Sequence, residues 1–222
     1  MASRPGPVPA LLLLLLPLLG LASCSGGPPE VLRVEWTLET RPIGNSSYES
    51  LSVFADVRDP DGPEDVEAMW ILSDTGECYW SLGASTWTKR TEGGDTWIGA
   101  ADLAIPDRGP LPRAIYRVVV GDLAGGRSES EFRLEADTAE KTSPRLAVAG
   151  NTITIDSLWG ENYLLAYDAA GANIRTAVIG GKTGKLDALL GTVDAGRAAT
   201  VAVYGYDAAA RRGSFTARVK TR

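Results

Sequence analysis

The chain has 222 residues, with 22 Lys and Arg against 28 Asp and Glu, two cysteines and no histidine. Its net charge of −6 argues against the concentrated basic surface that nucleic-acid binding requires. Without histidine there is no Ser-His-Asp or Cys-His catalysis and the commonest transition-metal ligand is missing; two cysteines are too few for the usual zinc sites.

Arg4 and the free amine make a positive start, and Ala10 to Leu19 form an apolar run shorter than the roughly 20 residues a spanning helix needs. That order reads as a secretory signal. It ends in Leu21-Ala22-Ser23-Cys24, an apolar residue, two small residues and a cysteine. This tetrad resembles the lipobox of bacterial lipoproteins. The resemblance implies cleavage between Ser23 and Cys24, a diacylglyceryl thioether on Cys24 and an N-acyl chain of the palmitate kind. Residues 1–23 are then the signal peptide and residues 24–29 a lipidated tether. Each buried methylene contributes about 0.8 kcal/mol, so two or three chains anchor the protein durably. The five residues after Cys24 reach less than roughly 20 Å, which holds the first folded unit near the membrane. Ser25 stands where Asp would resemble an inner-membrane retention signal, so in a cell with two membranes the outer one is expected. Lipidation leaves Cys78 without an intrachain partner, and its place beside Trp80 and Leu82 at period two reads as a small buried hydrophobe.

After the tether, short apolar and polar residues alternate between Gly, Pro, Asp and Asn punctuation, the pattern of strands and turns. Leu32, Val34, Trp36 and Leu38 form one inward face, and Leu51, Val53, Ala55 and Val57 the next. Further strands are expected over residues 66–72, 78–82, 86–89, 96–100, 114–120 and 128–134. A polar linker covers residues 137–144. Strands then resume over 146–149, 152–155, 163–167, 173–178, 200–206 and 214–220, with a brief element at 186–190. Tyr167-Asp168-Ala169-Ala170 recurs as Tyr206-Asp207-Ala208-Ala209, which reads as one hairpin chemistry used twice. The expected fold is all-β: two small antiparallel sandwiches, residues 30–136 and 145–222.

The stretches Val57-Arg58-Asp59-Pro60-Asp61-Gly62 and Tyr116-Arg117-Val118-Val119-Val120-Gly121-Asp122 resemble those of bacterial immunoglobulin-like and fibronectin type III-like modules. Residues 153–155 and 163–171 are similar in the second unit. This resemblance implies a sandwich fold and leaves function open.

Three motifs invite a functional reading. Residues 180–185, Gly-Gly-Lys-Thr-Gly-Lys, miss the phosphate-loop spacing by one residue and read as a turn. Asp59, Asp61 and Asp65, with Glu64, crowd a Pro- and Gly-containing segment; turn chemistry explains it, with calcium as the alternative. For Trp87 and Trp97 packing is the favoured reading, because a small sandwich needs large side chains to fill it, with an exposed aromatic platform as the alternative. No cofactor other than the lipid is expected. The leading function is a non-catalytic envelope lipoprotein that makes protein or structural contacts. A carbohydrate or cell-wall binding module comes second, and a carboxylate-based hydrolase third.

Overall fold

The computed structural model describes residues 26–77, 79–135, 142–180 and 182–221. Ser23, Cys24 and Cys78 lie outside these residues, as does most of the 137–144 linker. The described residues form strands β1 (Glu30–Ile43), β2 (Ser46–Arg58), β3 (Val66–Ser73), β4 (Tyr79–Gly83), β5 (Thr88–Glu92), β6 (Asp95–Leu103), β7 (Ile115–Asp122) and β8 (Arg127–Arg133). They continue as β9 (Arg145–Ala149), β10 (Thr152–Asp156), β11 (Glu161–Tyr167), β12 (Asn173–Val178) and β13 (Thr183–Lys185). Helices α1 (Leu186–Leu190) and α2 (Thr192–Arg197) precede β14 (Thr200–Asp207), β15 (Arg212–Phe215) and β16 (Val219–Lys220). The architecture is all-β.

Two hydrophobic cores form, one built by residues up to Leu134 and one beginning at Leu146. The first lies between the β1-β2-β6-β5 ribbon and the four-stranded sheet β4-β3-β7-β8. Leu51, Val53, Ala55 and Val57 are buried as their alternation requires. On β1 the alternation is interrupted by a bulge between Val31 and Arg33. The extra residue shifts the face, so Val31, Val34 and Trp36 pack on the core while Leu32, expected inward, does not. Trp36 stacks on Phe132 at 5.1 Å and Phe132 on Tyr116 at 5.3 Å, filling the space between the sheets.

The second core is enclosed by β12-β11-β14, the three-stranded sheet β13-β10-β9 and the short helices. The segment 186–190 is helical because Leu186 and Leu190 lie one turn apart and both point into this core. The repeated Tyr-Asp-Ala-Ala closes two hairpins in the same way. The Asp168 carboxylate accepts hydrogen bonds from the Ala170 and Ala172 amides, and that of Asp207 from Ala209 and Ala210. Residues 183–185, read as a turn, pair with β10 as a short strand.

One feature departs from two independent sandwiches in tandem. The half of β1 beyond Leu38 outruns the first core and leaves an edge, and β15 pairs with it in parallel, Leu38 to Arg212, Glu39 to Gly213 and Thr40 to Ser214. A single sheet, β12-β11-β14-β15-β1-β2-β6-β5, therefore runs through both cores. Glu39 is buried at this junction. Arg41 donates to it and to Ser50, and its guanidinium lies 4.4 Å from the Phe215 ring centre. β15 carries Gly213 here, and the Tyr204 ring occupies the space a side chain at that position would need.

Candidate functional site

The Trp87 and Trp97 platform does not form. Trp97 is only 3% exposed, although it lies on the outer face of its sheet, opposite Asp56 and Arg90. The Arg33 and Arg90 guanidinium groups stand 5.0 and 5.2 Å from its ring centre. Arg33 also binds the buried Asp56 carboxylate through Nε at 2.9 Å and Nη2 at 2.6 Å. Long cationic side chains with apolar stems thus cover the ring. Trp87 is half-buried and packs against the first core. The polar run in sequence surrounds Trp87, the one of the two that packs inward, while the outward Trp97 is covered by Arg33 and Arg90.

An open aromatic surface exists elsewhere, on the solvent side of β4-β3-β7-β8. Cross-strand register places Tyr79, Leu72 and Arg117 in one row and Trp70, Val119 and Glu129 in the next. These residues and Arg127 line a groove of about 640 Å³. Tyr79 is 61% exposed. Trp70 lies across Gly121, where a Cβ would come within 3.0 Å of the ring, and Arg127 approaches its ring centre at 5.2 Å. The period-two pattern contained this row, but Trp70 sits in a run so apolar (Ala68-Met69-Trp70-Ile71-Leu72) that it reads as core.

At one end of the same sheet, the 59–65 loop meets the β7–β8 turn. A carboxylate oxygen from each of Asp59, Asp65 and Asp122 lies within 4.8 Å of the others. Asp61, expected with them, is not in this trio. Its amide donates to Asp59 Oδ1 at 2.8 Å, which turns the loop and leaves Asp61 exposed. Asp122 joins because Val66, the residue after Asp65, pairs with it across β3 and β7. The Leu123 amide also donates to the Asp65 carbonyl. Such contacts between positions far apart in the chain leave no local trace. Asp59 is 9% exposed, and its Oδ2 is buried with no hydrogen-bond partner. Burial, and then repulsion from Asp59, Asp122 and Asp61, raises the Asp65 carboxyl above its ordinary range. Among the described residues none of the three is ion-paired with lysine or arginine. Hard oxygens in this number suit a divalent cation of the calcium kind.

No protein-family model matches the chain, and no curated protein does. Among solved structures it is similar to Tp47, the 47-kilodalton lipoprotein of Treponema pallidum, at 13% identity and a TM-score of 0.43, over 87% of this chain and 50% of that one. It is also similar to the BSP domain of a biofilm associated protein, at 9% identity and a TM-score of 0.30, over 85% and 29% of the two chains. The chain thus spans half or less of the length of either. The likeness extends no further than β-rich architecture.

Proposed function

We propose that this chain is a lipid-anchored, non-catalytic protein of the bacterial cell envelope that binds another envelope protein through the open face of β4-β3-β7-β8. The groove on that face carries the reading. Tryptophan, tyrosine and arginine are the residues most enriched where protein interfaces concentrate their energy, and Trp70, Tyr79, Arg117 and Arg127 line it together. The lipobox supplies the address, and the short tether keeps the partner near the membrane. Glycan binding is the second reading, favoured by the same Trp70 and Tyr79. Stacking of a sugar on Trp70 would have to compete with Arg127, which already approaches that ring.

The test places a photo-crosslinking residue at position 79 of the full-length chain in its native envelope, with position 92, at the end of β5, as control. The expected result is one discrete protein adduct at 79 and none at 92. The identified partner, purified, should bind the wild-type chain and lose about tenfold in affinity with Trp70→Ala, a 1.4 kcal/mol effect. Cys24→Ala should release the chain from the membrane fraction and abolish palmitate labelling. A polysaccharide adduct at 79 would transfer the face to the glycan reading, and equal adducts at both positions would remove it as a site.

A further inference from the structure

We infer that Asp59, Asp65 and Asp122 form a calcium site that fastens the root of the first β-unit where the chain leaves its tether. Two oxygens bound to one calcium ion lie at most about 5 Å apart, twice the usual 2.3–2.6 Å bond, and the three carboxylates fall inside that limit. One oxygen on each of two of them is already hydrogen-bonded. Asp59 Oδ1 accepts from the Asp61 amide, and Asp122 Oδ1 accepts from the Gly126 amide at 2.7 Å. Asp59 Oδ2 remains buried and unpartnered, a costly state for a carboxylate oxygen unless a cation meets it. The local backbone is prearranged: Gly62 and Asp59 close one turn, and Gly125 and Asp122 another.

The position of the site gives it a consequence. Gly26 packs over the Asp61 side chain and Gly27 lies against Pro60, while a methyl group on Gly126 would meet Pro28 Cα at 3.0 Å. The later part of the tether, residues 26–28, therefore runs along both loops that supply the carboxylates. A cation joining those loops holds the bed on which residues 26–28 lie. Without it, three carboxylates repel one another there.

The full-length chain in detergent provides the test, with terbium and calcium as probes. Trp70 packs on Gly121, next to Asp122, so terbium at the site should emit when tryptophan is excited, and calcium should displace it. Exported calcium modules bind at about 0.1–1 mM; about 5 mM calcium should therefore raise the melting temperature by several degrees, EDTA should reverse the rise, and equal magnesium should not reproduce it. Asp65→Asn is the cleanest variant, because among the described residues its carboxylate accepts no hydrogen bond. It should melt higher than wild type in EDTA, by losing repulsion, yet show no calcium response. Asp59→Asn and Asp122→Asn keep an oxygen for the Asp61 and Gly126 amides and should also lose the response. No tryptophan-excited terbium emission together with an unchanged melting temperature overturns the proposal. So does a calcium response that survives all three substitutions.

Discussion

Gly213→Ala is the most direct test of the sheet that joins the two cores. Gly213 lies on β15 between Glu39 of β1 and Tyr206 of β14. A methyl group there would stand well inside 3.0 Å of Cε2, Cζ and Oη of Tyr204, a separation real Cβ atoms essentially never show. The ring is not free to swing aside. It stacks on Phe215 at 4.4 Å and on Tyr206 at 5.9 Å, and its hydroxyl interacts with the buried Glu39 carboxyl. Overpacking of this kind costs about 1–3 kcal/mol, and displacement of the ring forfeits about 0.5–1.5 kcal/mol of stacking. A loss of about 3 kcal/mol corresponds to a fall in melting temperature of roughly 6–12 °C for a chain of this size. Urea denaturation of the full-length protein followed by tryptophan fluorescence measures the free energy, and calorimetry measures the melting temperature. Combining Gly213→Ala with Tyr204→Ala should cost less than the two changes separately, by about 1 kcal/mol or more, because the clash disappears with the ring. A loss below about 0.5 kcal/mol, or strict additivity in the double variant, would show that the Tyr204 ring does not lie over Gly213 at the edge that meets β1.

The packing fixes three further outcomes. Trp97→Ala should cost about 3–5 kcal/mol in the same denaturation assay, as for a buried tryptophan; a cost under about 1 kcal/mol would return the ring to the surface. Burial pushes the Glu49 carboxyl up, but hydrogen bonds from Arg113 and the Leu111 amide, with the Arg113 and Arg212 charges, outweigh it and hold it below the ordinary 4.5. Its stabilisation is fully present above that value and is lost as the pH falls through the lower, folded pKa. Glu49→Gln should therefore flatten the fall in unfolding free energy between about pH 5 and pH 3. Glu39 has the opposite sign. Burial raises it against the pull of Arg41, so its stabilisation is present below 4.5 and is lost as the pH rises through the folded value. Glu39→Gln should flatten the stability profile above that point, measured by melting temperature against pH, and an unaltered profile would contradict the burial of this group.

Much of the strand framework was legible, because period-two alternation and turn chemistry are local. Leu51 to Val57 and the twin Asp168 and Asp207 hairpins are cases of this. The bulge at Val31 and Arg33 was not legible, since an inserted residue keeps the alternating composition and changes only its phase. Nor was the joining of the cores, which depends on a strand edge at residues 38–40 meeting residues 212–214. The candidate sites divide along the same line. Asp59 and Asp65 are neighbours in sequence and were visible; Asp122 enters through a cross-strand pair. Trp97 is buried, as the packing reading has it, but its cover comes from Arg33 and Arg90, on other strands and not next to it in sequence. Trp70 sits among apolar neighbours that give no local sign of its face, and the pleat turns it outward on a face with no opposing sheet among the described residues.

These features share one strand. At about 3.2–3.4 Å per residue, the 14 residues of β1 extend for roughly 45 Å. Its first residue comes directly after the segment lying against the Asp59, Asp65 and Asp122 loops. Its second, Val31, donates its amide to Ser128 Oγ at 3.1 Å, and Ser128 lines the groove on the opposite sheet. Its far half carries β15 and, through it, the second core. Under the proposed anchoring, the place where the lipid-bearing chain enters the fold is thus tied by one element to the cation loops, the binding groove and the second unit. β1 is hydrogen-bonded along its length to β2 and, past Leu38, also to β15, so it cannot slip relative to either without breaking a ladder. The second unit is therefore joined to the first by backbone pairing between β15 and β1 as well as by the chain connection.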